Sequence, residues 1–241
     1  MLDYEVKNKT VVVTGATRGI GKAIAEKFAL YGANVIGTGT RVFGNKRKKI
    51  KMVELDLKCE ESIKCFIKHI RKLGNIDVLV NNAGINIISE IENINENDWD
   101  DVIKVNLTGP MLLAKEISKI MKKKKKGHIL NISSIWGIIG KEKRHAYSAA
   151  KTGLIGLTRT MALDLGKYNV KVNALCPGFT ATELTKSILS KKEMAKLSKE
   201  VPLGRFASVD EIAETAIFLC SSKNTYITGQ AIVADGGFTV K

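Results

Sequence analysis

Seven short β-rich runs alternate with longer segments of helical spacing, and no other feature of the 241-residue chain constrains its fold as strongly. TVVVT (10–14), NVIGTGT (34–40), KMVEL (51–55), IDVLVNN (76–82), HILNIS (128–133), VKVNAL (170–175) and QAIVAD (230–235) read as strands. Apolar residues recur at helical intervals near 20–31, 60–73, 97–121, 146–166, 183–199 and 209–221. Several strands lack polar–apolar alternation, as expected where helices cover both faces of a parallel sheet. The alternation predicts an α/β fold, a Rossmann-type doubly wound parallel sheet of about seven strands. No linker, repeat or low-complexity stretch divides the chain, so one domain is expected over 1–241.

In such a sheet, ligands bind outside the carboxyl ends of the strands. The first strand runs into TGATRGIG (14–21), which opens the first helix. Gly15 permits a sharp turn, Gly19 lets backbone approach a ligand, and Gly21 permits close helix–strand packing. The helix N-terminus then offers unpaired N–H groups and a positive dipole end to a pyrophosphate. The spacing is G-x-x-x-G-x-G rather than G-x-G-x-x-G.

Composition removes other classes. No apolar run approaches the roughly 18 residues of a membrane span. The opening MLDYEVKNKT lacks a secretory apolar core, so a cytoplasmic protein is expected. Cys59, Cys65, Cys176 and Cys220 lack CxxC spacing and form no metal-ligand pattern with His69, His128 and His145; reduced structural thiols and no metal are expected. The net charge of +15 raises nucleic-acid binding. Its densest run, KKKKK at 122–126, has no interleaved aromatics and suits a solvated helix C-terminus, so no nucleic-acid partner is expected.

HAYSAAK (145–151) places Tyr147 and Lys151 one helical turn apart on one face. It reads as ordinary helix or as a proton donor with its tuning cation. A phenol with a pKa of about 10 rarely ionises near neutrality, and a neighbouring ammonium lowers that value. Ser134 ends the HILNISS run, as a turn serine or a second hydrogen-bonding group. Asn106 lies in VIKVNLTG, where asparagine is mildly unfavourable in a helix, and bends that helix or serves a site.

TGxxxGxG at 14–21, NNAG at 81–84, Asn106, Ser134 set 13 residues before Tyr147, the YSAAK run, Pro177-Gly178 and Asp235-Gly236-Gly237 recur together over nearly the whole chain. In this combination the sequence resembles the short-chain dehydrogenase/reductase family. The resemblance implies a catalytic set of Asn106, Ser134, Tyr147 and Lys151. Tyr147 would be the proton donor and Ser134 would hold the substrate oxygen. Lys151 would tune Tyr147 and bind the nicotinamide ribose, and Asn106 would hold a water near Lys151. It also implies a dinucleotide site built from Gly15, Thr17, Arg18, Gly19, Ile20, Gly21, Arg41, Asp56, Leu57, Asn82, Ala83, Gly84, Tyr147, Lys151, Pro177, Gly178 and Thr180. Asp56 would meet the adenine amino group. Pro177, Gly178 and Thr180 would border the nicotinamide amide and pyrophosphate. Asn81 and Asn82 also suit simple turn formation.

NAD needs an acidic side chain at the end of strand two. GTGTR (37–41) has none there. Arg41 and Arg18 are either solvated arginines or a clamp for a 2′-phosphate, and NADP(H) is favoured over NAD(H). The chain departs from the family pattern in RVFGNKRKKI (41–50), too short for a full crossover helix of about 10–12 residues; a loop or single turn is expected. The segment 180–205 reads as a substrate lid or as helix packed on its own domain.

KTGLIGLTRTMALDL, VPLGRFASVDEIAE and YITGQ are most similar to bacterial 3-oxoacyl-carrier-protein reductases of fatty acid synthesis. They are almost as similar to sugar and polyol dehydrogenases of the gluconate type. The resemblance implies a small-molecule carbonyl substrate, carried on acyl carrier protein in the first case. It also implies a homotetramer formed through the helices at 101–120 and 152–165. An acidic carrier would dock on basic residues beside the active-site mouth. Lys125 matches one docking position, while Tyr168 replaces the cation at the second, with Lys167 adjacent. A catalytically silent dinucleotide-binding regulator or scaffold is the rival from another class.

Overall fold

The computed structural model describes residues 4–41 and 49–240. The strands are β1 Thr10–Val13, β2 Asn34–Gly39, β3 Ile50–Glu54, β4 Val78–Asn81, β5 Gly127–Ile132, β6 Val170–Pro177 and β7 Ala231–Ala234. They form one seven-stranded sheet in the order β3-β2-β1-β4-β5-β6-β7. Every neighbouring pair is parallel. The Rossmann-type expectation is met, with all seven strands at the expected places.

The helices are α1 Gly19–Leu30, α2 Glu60–Leu73, α3 Glu96–Ile103, α4 Gly109–Lys124, α5 His145–Gly166, α6 Glu183–Ile188, α7 Lys191–Ser198 and α8 Val209–Leu219. Val11 and Val13 point into a core shared with Ile24 and Phe28 of α1 and Ile212 and Ile217 of α8. Val12, between them, points into the opposite core with Phe66 and Ile70 of α2 and Leu113, Ile117 and Met121 of α4. The period-2 alternation of a strand puts successive side chains on opposite faces. Both faces of β1 are covered, and Val11, Val12 and Val13 are each 0% exposed.

Two helical expectations need correction. The span 97–121 is not one helix, because a π turn over Lys104–Thr108 separates α3 from α4. Asn106 sits in that turn and bonds outward, accepting from the Ile85 N–H at 3.0 Å and donating to the Ile85 carbonyl at 2.7 Å. The span 183–199 is two helices. Ser190 restarts the second with a capping box, its hydroxyl accepting from the Glu193 N–H while the Glu193 carboxylate accepts from the Ser190 N–H. The loop or turn expected over 41–50 falls largely on 42–48, outside the described residues.

Chain order reverses between β1 and β4, which are adjacent while their crossovers leave in opposite directions. A crevice opens at such a switch point, outside the carboxyl ends of the strands. Among the described residues, no helix is long and apolar enough to cross a membrane.

Candidate active site

The glycine loop is held by a small set of buried polar groups. Thr14, 1% exposed, receives two backbone N–H groups on its Oγ1, from Asn82 and Ala83, each at 2.9 Å. Asn82 returns the contact, donating Nδ2 to the carbonyls of Thr14 at 2.9 Å and Gly15 at 3.1 Å. The N–H of Ala16 donates to Thr38 O at 2.8 Å and ties the loop to the end of β2. Gly15 has φ +63°, and a Cβ there would lie 2.9 Å from Ala83 Cα. At Gly21 a Cβ would stand 2.2 Å from Asn82 Nδ2, so the first turn of α1 packs on β4 only because Gly21 has no side chain. Asn82 is therefore more than a turn residue.

Gly19, also at positive φ, begins α1, with Ile20 following it. The helix starts without a side-chain cap and without an acidic residue in its first turn. Its initial N–H groups and dipole end face the crevice uncompensated by a carboxylate, an arrangement that fits a pyrophosphate. Thr17 packs over the end of β2, where a Cβ on Gly39 would meet its methyl at 2.5 Å. Arg18 and Arg41 are exposed, and among the described residues neither has an ion-pair partner.

At the adenosine side, Asp56 is half-buried and accepts from the Lys58 N–H at 2.9 Å, while its own N–H donates to Ser62 Oγ. Leu57 is buried, its methyls against Gly109. Gly84 leaves room where β4 has ended: a Cβ would stand 2.9 Å from Asn106 Oδ1 and 3.6 Å from Lys151 Nζ. The missing side chain thus brings the asparagine amide and the lysine amine to one place.

Ser134 and Lys151 are both buried, and Tyr147 is half-buried. The Tyr147 hydroxyl lies beside the Ser134 side chain, close enough for Ser134 to favour its ionised form. Ser134 Oγ also accepts from the Trp136 N–H at 3.2 Å. Lys151 Nζ donates to the Ile132 carbonyl at 2.7 Å and lies 5.5 Å from the centre of the Tyr147 ring. The side chains of Asn106, Ser134, Tyr147 and Lys151 thus meet around the carboxyl end of β5. Pro177 ends β6, and Gly178 presses against Asp235, where a Cβ would lie 2.6 Å from the aspartate Cβ. Thr180 is buried and donates its hydroxyl to Gly178 O at 3.1 Å.

The electrostatics differ from expectation at one point. Burial pushes the Tyr147 phenol above its ordinary value, and the Ser134 side chain and the Arg144 guanidinium pull it part of the way back. Lys151 was expected to supply that pull. Its ammonium is instead directed onto a strand-end carbonyl, and burial brings its own pKa down to about 8.

Several supporting contacts could not be read from the sequence. Asn81 donates to Asn131 Oδ1 at 2.9 Å, and Asn131 donates to Thr158 Oγ1 at 2.9 Å, so a buried polar chain links β4, β5 and α5 beneath the site. Ser133 Oγ donates to Lys151 O at 3.0 Å and fixes the start of that helical turn. Phe179 stacks on Phe206 at 5.1 Å and meets Phe238 and Trp136 edge-on, forming an apolar wall next to Ser134 and Gly178. Cys176 is buried, its thiol pushed up by desolvation, and Cys220 is buried likewise. Among the described residues, no group of three His, Cys, Asp or Glu side chains could hold a metal ion.

The basic positions considered for carrier docking lie elsewhere. Lys122 and Lys167 stand 5.2 and 5.5 Å from the Tyr168 ring centre, giving that position the charge tyrosine lacks. Lys125 caps the end of α4 with φ 50°. Lys167 and Tyr168 follow the carboxyl end of α5, with Lys122 from the end of α4 beside them, whereas Tyr147 is in the first turn of α5. At 1.5 Å per residue the two ends are about 30 Å apart. Within one chain, Lys125 and Lys167 are not beside the mouth of the site.

A family model described as enoyl-(acyl carrier protein) reductase matches residues 15–239. The 3-oxoacyl-[acyl-carrier-protein] reductase of Aquifex aeolicus is 42% identical, over 98% of this chain and 99% of that protein. The enzyme of the same name from Vibrio cholerae is 39% identical, over 96% and 98%. A solved structure of a putative NAD(P)-dependent gluconate 5-dehydrogenase from Beutenbergia cavernae, with bound NADP, superposes with a TM-score of 0.92 at 30% identity and covers 100% of both chains. With a seven-stranded doubly wound sheet, a glycine loop at its switch point and relatives of this kind along its whole length, the chain is an oxidoreductase of the short-chain dehydrogenase/reductase family.

Proposed function

We propose that the chain is an NADPH-dependent reductase that converts a 3-oxoacyl group on acyl carrier protein to the 3-hydroxyacyl product. The observation that carries the reaction is the convergence of buried Ser134 on Tyr147, with the Lys151 amine 5.5 Å from the tyrosine ring and one helical turn away. In this reading Ser134 and Tyr147 both donate to the substrate carbonyl oxygen, and Tyr147 transfers its proton as the oxygen gains charge. The nicotinamide ring, when bound, supplies the hydride to the carbonyl carbon. Lys151, fixed by Ile132 O, presents its remaining N–H groups to the nicotinamide ribose. Asn106 holds the backbone at Ile85 and keeps Gly84 open beside Lys151. The uncapped start of α1 receives the pyrophosphate, and Arg18 and Arg41 bind the 2′-phosphate that distinguishes NADPH.

The full-length identity to the Aquifex and Vibrio enzymes supports the acyl-carrier substrate. So do the cations around Tyr168 and Lys125, which suit an acidic partner. Because those cations lie about 30 Å along α5 from Tyr147, farther than a phosphopantetheine arm extends, the carrier docks on one chain and delivers its acyl group to another. Antiparallel pairing of α4 and α5 in a tetramer provides this arrangement. A second reading, oxidoreduction of a gluconate-type sugar acid, is favoured by the superposition on the Beutenbergia protein.

A substrate panel followed by NADPH absorbance separates the readings. Preferred turnover of acetoacetyl-carrier protein supports the first, and preferred turnover of a keto-sugar acid supports the second. Tight NADPH binding without turnover of any carbonyl would make the chain a cofactor-binding regulator.

A further inference from the structure

Arg144 lies three residues before Tyr147, at the N-cap of α5, and makes no side-chain cap there. The backbone that delivers it is pinned. Lys143 is in the left-handed region at φ 62°, its carbonyl accepts from the Ser89 N–H at 3.3 Å, and its ammonium pairs with Glu90 at 2.7 Å. Lys141 pairs with Glu142. Both acidic side chains of the vicinity are thereby engaged, and among the described residues no carboxylate pairs with Arg144. Its side chain is half-buried, and the ionisable group within its field is the Tyr147 phenol. A partly buried guanidinium without a counter-charge loses hydration for no return in the free protein. It is suited to a planar oxygen acceptor brought by a ligand.

We propose that Arg144 is a specificity-determining residue. Its guanidinium hydrogen-bonds an acceptor oxygen two carbons from the carbonyl held by Ser134 and Tyr147, either the thioester carbonyl of a 3-oxoacyl substrate or the carboxylate of a 3-oxo acid. This rests on the role proposed above for Tyr147. The helix start places the two side chains within one turn, so a 1,3-dicarbonyl spans them: the reacting oxygen meets Tyr147 and the second oxygen meets Arg144. The Lys151 amine is already engaged by the Ile132 carbonyl and sits beside Gly84, which leaves the second oxygen to Arg144.

The test compares wild type with Arg144→Met and Arg144→Lys on an acetoacetyl thioester, acetoacetate and 2-pentanone, with NADPH as reductant. Losses common to all three substrates report the field at Tyr147, so the ratio of kcat/KM on a dicarbonyl to kcat/KM on the simple ketone is the readout. In Arg144→Met that ratio falls by about 10- to 100-fold, mainly through KM, as expected for loss of a charge-assisted hydrogen bond. Arg144→Lys restores part of it. A larger fall on acetoacetate identifies the carboxylate as the occupant, and a larger fall on the thioester identifies the acyl carbonyl. An unchanged ratio in both variants would overturn the proposal while leaving Tyr147 in place. Should wild type reduce none of the three, the 3-oxoacyl substrate of the proposed function fails, whatever the role of Tyr147. Calorimetric affinity of 3-hydroxybutyrate for the NADP-bound protein then decides on Arg144, equal binding by wild type and Arg144→Met refuting it.

Discussion

Thr14→Val tests the physical basis of the glycine loop. Valine keeps the shape of threonine and deletes the oxygen that accepts two backbone N–H groups, those of Asn82 and Ala83 at 2.9 Å. Thr14 is 1% exposed, so no solvent replaces the lost acceptor. An orphaned buried donor costs about 1–3 kcal/mol. Two of them, relaxing partly together, cost about 2–5 kcal/mol. For a chain of this length each kcal/mol lowers the melting temperature by roughly 2–4 °C, so Thr14→Val melts roughly 4–20 °C below wild type. Asn82 also loses its register on Thr14 O and Gly15 O, and the contact that admits Gly21 loosens with it. NADPH affinity therefore falls together with stability. Thr14→Ser retains the hydroxyl and removes one methyl, a cost of about 1 kcal/mol. Circular-dichroism melts and fluorescence titration with NADPH measure both effects. Thr14→Val melting within about 2 °C of wild type, or Thr14→Ser falling as far as Thr14→Val, would refute the double-acceptor account.

Tyr147→Phe removes the proposed acid and leaves the ring: NADPH binding stays within about twofold while kcat/KM falls by about 10²–10⁴, and retained turnover removes Tyr147 from the mechanism. Arg41→Ala weakens NADPH by about tenfold and NADH far less; equal losses for the two dinucleotides mean that Arg41 does not touch the 2′-phosphate. Burial lowers the His128 pKa from 6.5 to about 4. Above about pH 6.5 both folded and unfolded states are neutral there. As pH falls from about 6.5 toward about 4, only the unfolded state takes up the proton, and up to roughly 3 kcal/mol of stability is lost. His128→Gln removes that component, so its urea midpoints decline less between about pH 7 and pH 5 than those of wild type; parallel declines would show that His128 does not titrate on unfolding.

Features that depend on neighbours along the chain were legible in the sequence, and features that depend on distant partners were not. Val11, Val12 and Val13 form an unbroken β-branched run because both faces of β1 are covered, and that run marks a central strand without any structure. Gly15, Gly19 and Gly21 were readable because their roles follow from a strand meeting a helix. The π turn at Lys104–Thr108 was not, because the apolar spacing continues through it and the contact that accompanies it, between Asn106 and Ile85, joins residues 21 apart. The Asn81–Asn131–Thr158 chain escaped for the same reason. The distance from Lys125 and Lys167 to Tyr147 was implicit in the topology, since the end of α5 must lie across the sheet from its start. Motif spacing alone conceals that separation.

The direction of the Lys151 amine bears on the chemistry. A lysine that lowered the Tyr147 pKa strongly would make a phenolate, which suits removal of a proton from an alcohol. Here burial dominates and holds the phenol above its ordinary value, with Lys151 engaged by Ile132 O. A phenol in that condition keeps its proton throughout the neutral range and is available to donate it. Burial also favours the neutral amine at Lys151, whose pKa of about 8 leaves it mostly charged at neutrality and neutral only in moderately alkaline solution. The two shifts act together. Near neutrality the site holds a protonated acid beside a cation, the combination that stabilises negative charge developing on a carbonyl oxygen. At alkaline pH the cation is lost first, before the phenol ionises. The protonated phenol beside a charged amine is the form of the site from which a carbonyl oxygen receives its proton, the step on which the proposed reduction rests.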